Sequence, residues 1–293
     1  MTYLWRKKKT KEVLNLKKLV LIDGTNLLHR AFYAAQNTPG DNQVNKALNI
    51  YSNFLRAIKN KENPDYGYVA WDAQSGKHTI RGEVSDNYKA NRKSSPIPAM
   101  CYTLAELITM CYGFAYGSSL KYEADDIIGT LAHRAAKENI KTVIYTNDRD
   151  MLQLVNEQNV VVKILKSGVS QVTEFDAEML ERKYQVKPEQ FVDYKALVGD
   201  KSDNYPGVKG IGPKTAVKLL SKYKNLDDIY AHINELKDKN RKLLEQNKRA
   251  GQMSYNLALI RKNVETFSAQ SIEALPVLDT DEIKLKMILN YKK

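Results

Sequence analysis

The chain has 293 residues, of which 43% are hydrophobic and 27% charged, with a formal net charge of +12 and a sequence pI of about 9.3. That length is ample for a buried core, and the composition is that of a soluble globular protein. No apolar run approaches the ~20 residues needed to span a bilayer, so no membrane span is expected, and no long apolar stretch follows the basic N-terminus, which argues against a signal peptide. The basic excess points to a polyanionic partner such as nucleic acid; a basic protein that merely stays soluble is the plain alternative. Cys101 and Cys111 fall in one predicted helix, so no disulfide is expected and a reducing compartment fits. The four histidines show no zinc spacing.

Residues 1–18, with Arg6, Lys7, Lys8, Lys9 and Lys11, read as a basic solvated tail. Leu19–Ile22 reads as a buried strand. Val44, Leu48, Tyr51, Leu55 and Ile58 step at helical spacing along one face. A second strand is predicted at Tyr68–Trp71. A basic, turn-rich stretch follows, with Lys77, His78, Arg81, Tyr88, Lys89, Arg92 and Lys93 ahead of Pro96 and Pro98; from composition alone it is a solvated loop. Leu104, Leu107, Ile108 and Cys111 predict a helix, as does Glu123–Lys137, with Ile127, Ile128 and Leu131 inward. Strands at Thr142–Tyr145 and Val160–Ile164 complete an alternating pattern that predicts an α/β domain with a largely parallel sheet. Beyond about residue 175 strand signals fade and helical ones dominate.

The strand ends carry acids. Asp23 closes the first strand, Asp72 the second, and Asp148 and Asp150 follow the third. In open parallel sheets ligands bind beyond the carboxyl ends of the strands, so these side chains gather on one edge. Glu123, Asp125 and Asp126 open a helix, where acids are also favoured by the macrodipole alone. Asp148/Asp150 and Asp200/Asp203 have a bland alternative as turn and cap residues. Collectively, nine carboxylates on one edge repel one another unless cations compensate them. Oxygen donors without histidine or thiolate suit Mg²⁺ or Mn²⁺. Two such ions can activate a water and stabilise the attacking and leaving oxygens of a phosphodiester.

Gly207-Val208-Lys209-Gly210-Ile211-Gly212, followed by Pro213-Lys214-Thr215, reads as a helix–hairpin–helix within residues 205–222. Its glycines allow tight turning, and Pro213 suits a first helical position. Free backbone amides at that helix start hold phosphate without reading sequence, and Lys209, Lys214, Lys218 and Lys222 add charge. A plain interhelical turn is the alternative.

In their order and spacing, Val20–Gly24, Tyr122–Asp126, Thr146–Asp150, Gly199–Asn204 and the Gly207–Lys214 loop resemble the 5′–3′ exonuclease/flap endonuclease family. That family includes the 5′-nuclease domain of bacterial DNA polymerase I, bacteriophage 5′ exonucleases and stand-alone bacterial members. The resemblance runs from about Lys18 to about Lys262. It implies a PIN-like, mostly parallel sheet flanked by helices over residues 19–175, a helical arch around 78–112, and a helical C-terminal subdomain over 176–293. It assigns Asp23, Asp72, Glu123 and Asp125 to one metal cluster, with Asp126 beside it. Asp148, Asp150 and Asp203 go to the other, with Asp200 adjacent. Lys89 and Arg81 are expected to neutralise charge at the scissile phosphate, and Tyr88 to stack on an unpaired base. Arg30, Arg92 and Lys93, with the hairpin residues Gly207, Lys209, Gly210, Gly212, Lys214, Thr215 and Lys218, are expected to bind DNA.

The implied activity is a structure-specific 5′ nuclease of DNA replication and repair, leaving 5′-phosphate and 3′-hydroxyl ends. The expected cofactors are two Mg²⁺ ions, replaceable by Mn²⁺, with K⁺ at the hairpin. The expected partner is DNA with a 5′ flap, nick or free 5′ end, bound by a monomer in the cytoplasm of a bacterial cell or phage-infected host. The sequence stops at Lys293, and no polymerase domain is expected after it. Two rivals differ visibly: a PIN-type endoribonuclease lacks the helix–hairpin–helix, and a non-catalytic junction binder is expected to lack a carboxylate.

Overall fold

The computed structural model describes residues 16–38, 42–73, 79–85, 88–90, 95–169, 171–264 and 271–290. In chain order its elements are β1 (Lys18–Asp23), α1 (Gly24–Ala34), α2 (Asn42–Glu62), β2 (Tyr66–Asp72), α3 (Ile80–Val84), α4 (Ala99–Cys111), β3 (Ala115–Ser119), α5 (Ala124–Lys137) and β4 (Lys141–Thr146). A 3-10 turn (Asp150–Asn156), β5 (Val160–Ser167) and β6 (Gln171–Phe175) follow. Then come α6 (Ala177–Tyr184), α7 (Phe191–Val198), α8 (Pro213–Lys222), α9 (Leu226–Ala231), α10 (Asp238–Gln246), α11 (Lys248–Ala258) and α12 (Glu282–Leu289).

The strands form one six-stranded sheet in the order β3-β2-β1-β4-β5-β6, parallel except for β6. Its central strands are apolar without interruption because both faces are covered. Leu19, Leu21, Ala70, Ile144 and Val162 pack on one side with Ile127, Ile128 and Leu131 of α5. Val20, Ile22, Val69, Trp71 and Val143 pack on the other with Leu28, Leu48, Leu55 and Ile108 of α1, α2 and α4. Each fully buried side chain of this size contributes roughly 1.5–3 kcal/mol. The chain winds outward through β2 and β3, then returns past β1 to β4 and β5. The order therefore reverses between β1 and β4, and crevices form at such a point.

Two strands carry no apolar run that would announce them. β3 is an edge strand of small and polar residues that alternates between partly buried and exposed, and β6 is the antiparallel edge. The arch prediction over 78–112 needs correction at its far end. Helix α4 is a core helix, with Cys101, Ala105, Ile108 and Cys111 buried. Hydrogen bonds of 2.7 Å between Tyr51 and Thr109 and 2.9 Å between Ser52 and Tyr112 tie its end to α2. Helix α4 is thus no part of an arch, and Lys77, His78, Arg92 and Lys93 lie outside the described residues, as do tail residues 1–15.

The C-terminal helices share the α5-side core through Leu197, Ile211, Leu219, Ile229 and Leu244. Helix α12 departs from them and buries Leu285 in the opposite core, against α2 and α4. Both cysteines are free thiols within α4. No described helix is long and apolar enough to cross a membrane.

Candidate active site

The carboxyl edge of the sheet holds a cleft of about 210 Å³ lined by Asp23, Asp72, Glu123, Asp125 and Asp148, with Thr25, Asn26, His29 and Lys89 around them. Asp23 caps α1 by accepting from Asn26 N at 3.0 Å and also accepts from Thr146 Oγ1 at 2.9 Å. Asp72 sits at the end of β2 and accepts from Ala124 N, at the start of α5, at 2.8 Å. Burial pushes the Asp23 carboxyl up to about 7, and Asp72 and Asp148 add to the rise. A second cleft, lined by Asp148, Asp200 and Asp203, adjoins the first and shares Asn26 and Asp148 with it.

The base of the predicted arch closes on the first cleft. Glu123 Oε2 accepts from Lys89 Nζ at 2.6 Å, Tyr88 OH at 3.1 Å and Arg81 Nη1 at 3.2 Å. Burial alone would raise the Glu123 carboxyl, but Lys89 and Arg81 outweigh it and hold it below its usual range. Lys89 has φ 55°, and its N–H donates to the Asp203 backbone carbonyl at 3.1 Å, so its ammonium meets Glu123 while its backbone is tied to the segment that carries Asp203.

Arg81 and Tyr88 depart from expectation. Arg81 is 1% exposed, and its guanidinium donors are spent on Glu123, Asp125, Asp126 and the carbonyls of Leu257 and Leu259. It lies beneath the cleft and meets no phosphate from there. Tyr88, partly buried, packs against the small cluster of Val192, Tyr205, Leu257 and Ala258, donates its hydroxyl to Glu123, and has Lys89 Nζ 4.8 Å from its ring centroid. Asp126 is also buried, bonded to Arg81 and to Arg261 N, and lines neither cleft.

On the other side, Asp148 accepts from Asp150 N at 2.8 Å. Burial raises the Asp148 carboxyl, and Asp203 pushes the same way. Asp150 is pushed up to about 7, by burial and then by Asp148. It pairs with Lys195 at 2.7 Å and accepts from Tyr205 OH at 3.2 Å. Lys195 also pairs with Asp200, whose other oxygen accepts from Ser202 N. Sequence reasoning missed Lys195, Thr25, Asn26 and Thr146. The available signal for Lys195 was a lone lysine amid the apolar residues of α7, where an unpaired charge would be too costly to bury.

The hairpin lies beside this second group. Gly199 and Gly207, at φ 76° and 62°, pack backbone to backbone: a Cβ on Gly207 would lie 2.4 Å from Gly199 N. Pro213 opens α8 with Gly212 as an N-cap that makes no side-chain cap bond; Thr215 N and Ala216 N each donate to Gly212 O at 3.0 Å, which leaves Lys214 N as the first-turn amide for a ligand. Lys209, Gly210, Lys214 and Lys218 are exposed, and Thr215 is partly so. Arg30 donates to the carbonyl of Lys166, near the end of β5. Arg92 and Lys93 lie outside the described residues.

Among the described residues, no three of these acids converge as a ready-made ligand set. Lysines, Arg81 and backbone N–H groups hold their oxygens instead. The donor chemistry nonetheless fits a hard cation: oxygen-only, multiply acidic, and with Asp23, Asp125, Asp148 and Asp150 all raised by burial and, beyond it, by neighbouring acids. A divalent ion in either cleft would relieve that repulsion.

Residues 18–185 match the 5′–3′ exonuclease N-terminal resolvase-like domain, and residues 186–281 the 5′–3′ exonuclease C-terminal SAM fold. The 5′–3′ exonuclease of Mycoplasma genitalium is 34% identical over 260 residues, covering 85% of this chain and 87% of that one. The DNA polymerase I of Bacillus caldotenax is 39% identical over 251 residues, covering 84% of this chain but 28% of the polymerase. The chain thus spans under a third of the length of the polymerase relatives it matches. Bacteriophage T5 5′-exonuclease with bound zinc has a similar structure, with TM-score 0.68 and 21% identity over 83% of this chain and 89% of that one. The catalytic core of Rad2 with DNA substrate aligns with TM-score 0.62 and 15% identity, over 94% and 86%. These two likenesses establish the fold. With both domains matched in order, the chain belongs to the 5′–3′ exonuclease family.

Proposed function

We propose that this protein is a structure-specific 5′ nuclease that hydrolyses DNA phosphodiesters near a 5′ flap, nick or free 5′ end, leaving 5′-phosphate and 3′-hydroxyl ends. The observation that carries the reading is the meeting of two acid-lined clefts at Asp148, with the Lys89 ammonium in the first and its backbone tied to Asp203 of the second, and a glycine-rich hairpin alongside. An acidic centre in a chain of net charge +12 suits a polyanionic substrate held by cations around a metal-rich point of cleavage.

Asp23, Asp72, Glu123 and Asp125 would hold one Mg²⁺, and Asp148, Asp150 and Asp203 a second, with Mn²⁺ able to replace them. When bound, these ions supply a water nucleophile at neutral pH and offset charge at the scissile phosphate. The chain's own residues do the rest. Lys89, its ammonium at the mouth of the first cleft, transfers from Glu123 to the incoming phosphate. The Lys214 amide at the start of α8, with the Lys209, Lys214 and Lys218 side chains, grips the duplex backbone without reading bases. Asp200 and Asp203 precede this clamp by a few residues, so the cut position follows DNA shape, not sequence. Support also comes from a T5 flap endonuclease structure holding DNA and metal ions. K⁺ on the hairpin carbonyls, a monomeric state and a cytoplasmic site of action complete the reading.

A 5′-labelled flap duplex, incubated with and without Mg²⁺ and resolved to the nucleotide, tests it. Metal-dependent cleavage at the flap junction is expected. Cleavage of structured RNA in preference to the flap, or binding without cleavage, overturns it.

A further inference from the structure

The end of α11 and the backbone leaving it are bonded by turns to the Arg81–Asp126 pair and to Gln153, whose amide also bonds the Asp150 carbonyl. Leu257 O accepts from Arg81 Nε at 3.0 Å and Leu259 O from Arg81 Nη2 at 3.0 Å, while Arg261 N donates to Asp126 Oδ1 at 2.8 Å. These odd-numbered residues face the Glu123–Asp126 side. Ala258 O accepts from Gln153 Nε2 at 2.9 Å, and Ile260 N donates to Gln153 Oε1 at 3.0 Å. Those even-numbered residues face the turn that begins at Asp150, whose own carbonyl accepts from Gln153 Nε2 at 2.9 Å.

Leu257 and Ala258 end α11; from Leu259, with φ −69° and ψ 120°, the backbone is extended, and there successive peptide groups point to opposite sides. One side meets the Arg81–Asp126 pair and the other meets Gln153, which is tied to the Asp150 backbone. Gln153, 5% exposed, uses its oxygen and both amide hydrogens in this one task. The strap is tightly seated: a Cβ on Gly129 of α5 would lie 2.4 Å from Ile260 Cγ2 and 3.1 Å from Arg261 O. Helix α11 in turn touches the hairpin, for Gly207 N donates to Ser254 Oγ at 2.9 Å.

We infer that residues 257–261 set the spacing of the two carboxylate groups, and that α11 couples this spacing to the duplex clamp, with Gln153 and Arg81 as positioning residues. The inference rests on the nuclease reading for its purpose but not for its test. A displaced hairpin pulls on Ser254, and α11 delivers the movement to both acid groups at once. Duplex binding and metal affinity are therefore linked, each strengthening the other by the same factor.

Calorimetric titration of the full chain with Mn²⁺ tests this apart from cleavage. Gln153→Met keeps the side-chain volume and removes the amide. It should weaken Mn²⁺ binding by about 10–100-fold, the usual cost of losing a group that orients metal ligands. A purely structural role would lower the melting temperature and leave the Mn²⁺ affinity of the folded protein unchanged, which overturns the positioning role. Wild-type protein should bind Mn²⁺ more tightly when a covalently closed dumbbell duplex, which has no free 5′ end, is added. Ser254→Ala should bind Mn²⁺ like wild type alone and lose that gain. If the duplex leaves wild-type Mn²⁺ affinity unchanged, or Ser254→Ala keeps the full gain, the coupling is wrong, whatever the folding of the Gln153 variant. If binding and coupling behave as expected but no flap is cut, only the nuclease reading falls.

Discussion

Lys89 and Arg81 are both cations at the arch base, yet their surroundings give them different work. Lys89 carries a positive φ, uncommon for a residue with a long side chain, and its ammonium reaches the cleft that Asp23 and Asp72 line. Arg81 is buried and fully bonded to carboxylates and carbonyls. Lys89→Ala should lower the single-turnover rate by ~10²–10³ and leave folding intact, the scale of losing one preorganised charge. Arg81→Ala should instead cost roughly 3–5 kcal/mol in urea unfolding, because it strands buried carboxylates. A folding-neutral Arg81→Ala would mean that the guanidinium is not the tie described. Asp148, shared by both clefts, is the acid whose loss should matter most. Asp148→Asn should abolish flap cleavage while duplex binding in Ca²⁺ persists; wild-type cleavage by that variant would remove Asp148 from the metal centre.

At the scale of elements, the hairpin contains glycines of two kinds. Gly207 is required by the fold, since its positive φ and its contact with Gly199 leave no space for a side chain. Gly212 has nothing within 4 Å of where a Cβ would stand, and an ordinary backbone conformation. Gly207→Ala should therefore lower the melting temperature. Gly212→Ala should melt like wild type yet bind duplex more weakly, as expected where the proposed reading brings a phosphate to the bare backbone at the start of α8. Equal duplex affinity in Gly212→Ala, measured by fluorescence anisotropy, would argue against that approach. Helices also show where sequence pattern stops being informative. The apolar spacing of α4 marks a helix correctly, but an arch helix and a core helix share that spacing. Burial against α2 decided between them.

Across the molecule, acids outside the site respond to pH in opposite directions. Asp193, on α7 and 4% exposed, is pushed up to about 6 by burial, although it accepts from Leu226 N at 2.9 Å. Its folded value exceeds its ordinary one, so its contribution to stability is whole below the ordinary carboxylate range and is lost as pH rises through 6. Glu62 behaves oppositely. Burial would raise it, but hydrogen bonds from Lys163 and Tyr145, each 2.7 Å, hold it below its usual range. Its contribution is present above that range and lost as pH falls. Asp193→Asn keeps an oxygen for Leu226 N and removes the titration. Its melting temperature relative to wild type should rise between pH 4 and pH 7, and a flat difference in melting scans would refute the assignment.

The sequence by itself determined the alternating α/β order, the placement of Asp23, Asp72 and Asp148 beyond strand ends, and the glycine hairpin after Asp203. Each follows from a local rule: apolar runs make strands, strand ends in parallel sheets share an edge, and glycine permits tight turns. Only the tertiary structure decided which cations meet which acids, that Lys195 joins Asp150 to Asp200, and that residues 257–261 meet both the Arg81–Asp126 pair and Gln153. Those pairings connect residues up to 178 positions apart. Their energies depend on burial and distance, which no spacing along the chain records.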